Sequence, residues 1–260
     1  MKLLFLHVPK TAGSTLKSFL GAAVGDIFIQ ANSAEQLERG DPLVGRVRDL
    51  DDITRILAAH RGLALHVDSN FDAVRRTTDF RSLAWHLFAR EHRECFAGVT
   101  ILTMFRHPVQ RFLSDYRFVK RMKDANPSFL PDLPLGTPLE YLQHHHANPL
   151  LHFLLEPDLA RRRTMTRADL EHVKACLTDV PIHVGIQERF DESVDYFGRV
   201  LGRRFNAGDV PTLNVAPDAV AADPELERMF AERSPLDVEL YAHAVRLFDA
   251  RASAYDGRLP

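Results

Sequence analysis

Cysteine is nearly absent from this chain. Cys95 and Cys176 are the only two, and they sit far apart with no CxxC spacing. A disulfide framework and a thiolate zinc cluster are both excluded on that ground. Long apolar runs are missing too. The N-terminal run Leu3 to Val8 has six residues and is broken by His7. A secretory core needs about 7–15 apolar residues, and a membrane span about 20. A cytoplasmic protein with no integral membrane segment is the expectation. Nor is there an excess of one charge: 33 basic and 35 acidic residues give a formal net charge of -2. That argues against a nucleic-acid coat or a basic membrane-surface protein, while leaving room for a local cationic pocket.

What remains is an ordinary globular composition, 45% hydrophobic and 26% charged, over 260 residues. That length suits one hydrophobic core, so one domain over 1–260 is expected. Short apolar or β-branched runs alternate with helix-period segments. Leu3 to Val8 reads as a strand, Pro9 to Gly13 as a tight loop, and Leu16, Phe19 and Leu20 as one helix face. The unit recurs later in the chain. Val99 to Phe105 reads as a strand, and Pro108 sits where a helix can start. Val109, Phe112, Leu113, Tyr116, Val119 and Met122 then recur at a helical period. Gly62 to Val67 and Val180 to Ile186 read as further strands. Helices are expected around Phe80 to Phe88, behind a Thr166–Asp169 capping box, from Phe190 to Leu201, and from Val238 to Phe248. Four prolines and Gly136 between Asn126 and Pro138 predict an irregular loop, within an acceptor-side insertion around 123–150. The alternation predicts an α/β fold with a central, mostly parallel sheet flanked by helices.

Two segments carry chemistry. Pro9-Lys10-Thr11-Ala12-Gly13-Ser14-Thr15 joins a strand to a helix. Unpaired amides at a helix start bind phosphate, and a lysine supplies a mobile point charge. The lysine precedes the glycine, so this is not the GxxxxGK[ST] nucleotide motif. An ordinary turn with a surface lysine fits those residues equally well. The second segment is Phe105-Arg106-His107-Pro108 through Ser114-Asp115-Tyr116. Arg106 ends a strand, and Ser114 falls about two helical turns on. The planar fork of Arg106 suits an anion; a surface pairing with Asp115 or Asp124 is the other reading.

His7-Val8-Pro9-Lys10-Thr11-Ala12-Gly13-Ser14-Thr15-Leu16 is similar to the 5'-phosphosulfate loop of sulfotransferases. It looks most like the branch of heparan sulfate 2-O-sulfotransferases and their bacterial relatives. The Arg106 to Ser114 segment resembles that family's 3'-phosphate motif, with His107 in place of the usual acidic residue. Val184 to Ser193 resembles a segment after a late strand, with Gln187 for threonine. Leu213 to Pro217, Asn148 and Asp237 to Tyr241 match further points; Pro149-Leu150-Leu151-His152 departs from the pattern.

The resemblance implies a P-loop-like three-layer fold. It implies sulfuryl transfer from 3'-phosphoadenosine 5'-phosphosulfate (PAPS) to a hydroxyl acceptor, on a carbohydrate or glycoconjugate. Lys10, Thr11, Ala12, Gly13, Ser14 and Thr15 would then hold the 5'-phosphosulfate. Arg106 and Ser114 would hold the 3'-phosphate. His66 matches the second histidine of the family's His-Gly-His-Val stretch and would be the general base beside catalytic Lys10. Ala64 and Leu65 replace that stretch's first histidine and glycine, and His60 is the nearby alternative base. No nucleic-acid partner is implied, and a homo-oligomer is compatible with the pattern. His144-His145-His146 with His152 offers a weak metal reading, because adjacent histidines diverge on a helix. A noncatalytic nucleotide- or glycan-binding module and a nucleotide-dependent kinase are the rival functions. The kinase lacks a clear magnesium-binding acidic motif.

Overall fold

The computed structural model describes residues 2–12, 15–16, 20, 28–31, 64–68, 99–130, 133–155, 164–180, 182–203 and 223–255. At 2, 4, 28–31, 64–68 and 99 the description is of the backbone. Among these residues five strands form one sheet: β1 (Lys2–His7), β2 (Phe28–Ala31), β3 (Ala64–Asp68), β4 (Val99–Phe105) and β5 (Ile182–Ile186). Their order is β2-β3-β1-β4-β5, and every pairing is parallel. The helices are α1 (Pro108–Ala125), α2 (Pro138–His144), α3 (Pro149–Leu155), α4 (Arg167–Asp179), α5 (Phe190–Val200), α6 (Pro224–Arg233) and α7 (Pro235–Ala254). The α/β reading therefore holds.

Central parallel strands are covered on both faces and read as continuous apolar runs. In β4, Ile101, Leu102, Thr103, Met104 and Phe105 are all buried. All but Thr103 join Leu3, Phe5 and Leu6 of β1 and residues from β5, α3, α4, α5 and α7 in the main core. A second apolar cluster is separate. It joins Val109, Phe112, Leu113 and Val119 of α1 to Tyr141 and Leu142 of α2 and Leu226 and Phe230 of α6.

Several details differ from the sequence reading. The late strand begins at Ile182 rather than Val180, whose amide ends α4 by bonding to Cys176. Pro138 is not loop but the first residue of α2, behind a Thr137–Glu140 capping box. The short strand β2 was not anticipated at all. The described residues between Ala125 and Pro138 are irregular as expected, yet tied down. The Tyr116 hydroxyl donates to the Gly136 carbonyl at 2.7 Å, and the Lys123 ammonium reaches the carbonyls of Leu130 and Leu133. The Thr166–Asp169 capping box is present at the start of α4. The expected helix at Phe80 to Phe88 and the loop at Leu213 to Pro217 lie outside the described residues.

The strand order fixes where a site belongs. The connection leaving β1 runs to one side of the sheet, to β2; the connection leaving β4 runs to the other, to β5. Between such a pair the loops part and leave a crevice beyond the carboxyl ends. Those two strands are the ones that lead into Lys10 and Arg106.

Candidate functional site

The loop after β1 has an unusual backbone. Lys10 and Ala12 both take positive φ, 70° and 59°. Left-handed backbone costs a residue with a Cβ about 1 kcal/mol or more, and such positions gather at functional sites. Thr11 lies between them with no exposed surface, and its hydroxyl donates to the Val8 carbonyl at 2.7 Å. That bond braces the turn and commits the hydroxyl proton inward. The Leu16 amide then bonds the Ala12 carbonyl at 3.0 Å, starting the helical turn that holds Thr15 and Leu16. Gly13 and Ser14 lie outside the described residues.

Arg106 reaches this loop directly. Its Nη1 donates to the Lys10 carbonyl at 3.2 Å. Three residues earlier, on β4, the Thr103 hydroxyl donates to the Leu6 carbonyl at 3.0 Å, so β4 grips β1 by side chain as well as by backbone. The alternative pairing of Arg106 is not present. Asp115 is held by Tyr141 and His145, and Asp124 by Lys120. The carboxylate beside Arg106 is Glu188. Burial draws Arg106 below its usual value, and Glu188 opposes that shift.

Helix α1 supplies the opposite wall. Phe118 is one turn beyond Ser114, and the Lys10 ammonium lies 3.9 Å from the centre of its ring. A cation over an aromatic face is attracted by the ring quadrupole. Ser114 is half-buried on the same helix face. Lys10 is destabilised as a cation: burial pulls its pKa down to about 8, with Arg121, Arg106 and Arg111 adding to the effect and Asp115 opposing it. Around the Lys10 ammonium, three arginines against one facing carboxylate leave a local excess of positive charge in a chain of slight net negative charge.

The carboxylate is largely spoken for. Asp115 accepts from the Tyr141 hydroxyl at 2.8 Å and lies 3.4 Å from His145 Nε2. Burial alone would raise its pKa; the hydrogen bond and charge of His145, Arg111 and Tyr141 outweigh that and hold it below the usual carboxylate value. Arg111 Nε, by contrast, is buried with no hydrogen-bond partner among the described residues. An anion in the crevice would satisfy donors of this kind, so the donor set fits a phosphorylated ligand.

The third strand end contributes a residue that motif reading passed over. Glu188 sits in the 3₁₀ turn Gln187–Arg189, immediately after β5. Its Oε1 accepts the His107 amide at 2.9 Å, and its Oε2 accepts the Tyr241 hydroxyl at 2.9 Å. The His107 ring meets Tyr241 edge-on, 5.4 Å between centres. Phe118 was legible as the residue four beyond Ser114; Glu188 was legible only as an acid following a strand.

His66 is the third residue of β3. Its Cα is level with Phe5 of β1 and Gln30 of β2, and the strand runs two residues further to Asp68. Its side chain, and all of His60, lie outside the described residues. Asn148, one of the further points of the family resemblance, caps α7 with its side chain, accepting from the amides of Leu236 and Asp237. Among the described residues no group of three His, Cys, Asp or Glu is placed to hold a metal ion, the 144–146 histidines included. Among them, too, no helix is long and apolar enough to cross a membrane.

No family model and no curated protein matches the chain. Two solved structures resemble it remotely. A sulfotransferase from Alicyclobacillus acidocaldarius aligns at 18% identity and a TM-score of 0.46, covering 99% of each chain. Mouse sulfotransferase SULT7A1, solved in complex with PAP, aligns at 13% identity and a TM-score of 0.47, covering 97% of this chain and 88% of that one.

Proposed function

We propose that this chain transfers a sulfuryl group from PAPS to a hydroxyl acceptor on a carbohydrate or glycoconjugate. The observation that carries the reading is the Arg106 to Lys10 contact, which joins the two anion-motif segments at the parting of β1 and β4. A nucleotide with phosphate at both its 3' and 5' positions needs two anion sites in one crevice. Arg106 and Ser114 would hold the 3'-phosphate. Lys10 and the amides of Thr11 to Thr15 would hold the 5'-phosphosulfate.

PAPS supplies an activated sulfuryl group with a phosphate as its leaving group. The residues supply position and charge. Lys10 meets the negative charge that grows on the departing oxygen, an interaction stronger in the transition state than before it. The burial that depresses its pKa also strengthens its field, because less water screens it. His66, or His60, takes the proton of the attacking hydroxyl; a neutral imidazole does so near neutrality. No metal is required where a lysine, an arginine and backbone amides provide the stabilisation.

Calorimetric titration with PAP and with ATP tests the donor. PAP binding in preference to ATP is expected, and equal or exclusive ATP binding overturns the assignment. Incubation with sulfur-labelled PAPS and a panel of glycans then tests the reaction. Tight PAP binding with no transfer to any hydroxyl would favour a noncatalytic binding module. Wild-type transfer by His66→Ala with PAP binding retained would remove His66 as the base, and His60→Ala is the comparison.

A further inference from the structure

We propose that Glu188, bridged to Tyr241, is a positioning residue that sets Arg106 for the ligand's 3'-phosphate. The role rests on the donor reading above and deepens it.

Residues 106 and 107 share one peptide plane, and that plane carries the Cα of Arg106. Glu188 holds the amide of this plane at 2.9 Å. At the other end of the same side chain, Nη1 is held by the Lys10 carbonyl at 3.2 Å. Arg106 is thus fixed at its root and at its tip by two different strand-end segments. Glu188 is itself fixed by the Tyr241 hydroxyl of α7, whose ring also packs on His107. The sheet places these parts side by side: Phe105 pairs with Ile186, one residue before Arg106 and two before Glu188. Helix α1 has no side-chain cap at its N-terminus and no acid in its first turn, so Glu188 is the carboxylate that steadies its entry.

A general folding role and a positioning role differ in which ligand feels the loss. The test is calorimetric affinity for adenosine 3',5'-bisphosphate (PAP) and for 5'-AMP, which lacks the 3'-phosphate. It is run on the unmodified protein, Glu188→Ala, Glu188→Gln, Arg106→Ala and the Arg106→Ala/Glu188→Ala double variant. Glu188→Ala is expected to weaken PAP roughly tenfold, the usual loss for one hydrogen bond to a charged group, with AMP unchanged within about twofold. Glu188→Gln keeps an oxygen for the His107 amide and should retain PAP affinity within about threefold. On the Arg106→Ala background, Glu188→Ala should cost PAP nothing further, since paired residues are non-additive. Tyr241→Phe removes one of the two bridging bonds and should loosen PAP by about twofold to fivefold while leaving AMP alone. That variant decides the matter if Glu188→Ala does not fold.

Equal losses for PAP and AMP, no loss for either, or full additivity with Arg106→Ala would overturn the role of Glu188. If Arg106→Ala loses PAP and the Glu188 variants do not, only this inference fails. If the unmodified protein does not bind PAP, the donor reading fails and takes this role with it.

Discussion

Asn148 and Asp237 each cap the helix that the other begins. The Asn148 Oδ1 accepts from the amides of Leu236 and Asp237 at the start of α7, at 2.9 and 3.3 Å. Asp237 in turn accepts from the amides of Leu150 and Leu151 at the start of α3, at 2.7 and 3.0 Å. The Ser234 hydroxyl completes the clasp by accepting the Asn148 amide at 3.0 Å. All three residues are buried. Asn148 takes φ 53°, a left-handed conformation that asparagine tolerates better than most residues.

Asn148→Ala should therefore lower stability by about 1–2 kcal/mol, the upper range for a lost helix cap, because its two amides have no water to turn to. Urea unfolding measures it. A loss below about 0.5 kcal/mol would mean that the cap is dispensable.

Asp237 gives that clasp a pH dependence of unusual sign. Burial pushes its pKa up to about 6, although the two amides and Arg111 pull the other way. The ordinary value, and so that of the unfolded chain, is 3.8. Between about pH 4 and 6 the native state keeps a proton that the unfolded chain has released. Stability supplied through this residue is thus present at low pH and lost as pH rises through that window. The wild type should lose on the order of 1–3 kcal/mol relative to Asp237→Asn between pH 4 and 7. Unfolding curves for both proteins across that range provide the check; a constant difference would contradict it.

Lys10 titrates where it can be watched. Its pKa is lowered from 10.5 to about 8 by burial and the neighbouring arginines, and a bound anion favours the charged form. Anion binding should then take up a proton as the pH passes above about 8, and PAP affinity should fall up to about tenfold per pH unit there. In Lys10→Ala that dependence should disappear. Calorimetry in buffers of different ionisation enthalpy would read the proton uptake directly.

The three anion-site side chains should separate in kinetics. Lys10→Ala should depress turnover more than acceptor binding, since Lys10 meets the charge that grows on the leaving phosphate during transfer. Arg106→Ala should mainly weaken PAP, and Ser114→Ala should do so to a smaller degree. Single-turnover rates beside donor titrations distinguish these patterns, and unchanged PAP affinity in Arg106→Ala would remove its 3'-phosphate role.

Much of this was legible in local pattern. β4 and α1 were readable because a β-branched run, a proline at the first helical position and a helical apolar stripe stand in unbroken sequence. The α4 capping box was readable because its partners are three residues apart. β2 escaped because four residues carry too little periodicity to separate a strand from a turn. The clasp escaped for another reason: Asn148 and Asp237 are 89 residues apart, and nothing in either neighbourhood demands the other. Glu188 likewise answers to partners 81 and 53 residues away. The bond from the Thr11 hydroxyl to the Val8 carbonyl was not legible either, because the left-handed backbone that brings the two within reach leaves no pattern in the sequence.

The Arg106 contact lands on the main-chain carbonyl of residue 10 and not on the lysine side chain. Every amino acid carries that carbonyl, so the grip between the two segments survives an exchange that keeps the left-handed backbone at this position. The assembly of the two segments and the charge at residue 10 are therefore separable. Asparagine or glycine, both at ease with its positive φ, should leave the crevice assembled while removing the ammonium. Such variants would hold donor and acceptor together without consuming them, which makes them suitable carriers for trapping and identifying the unknown acceptor.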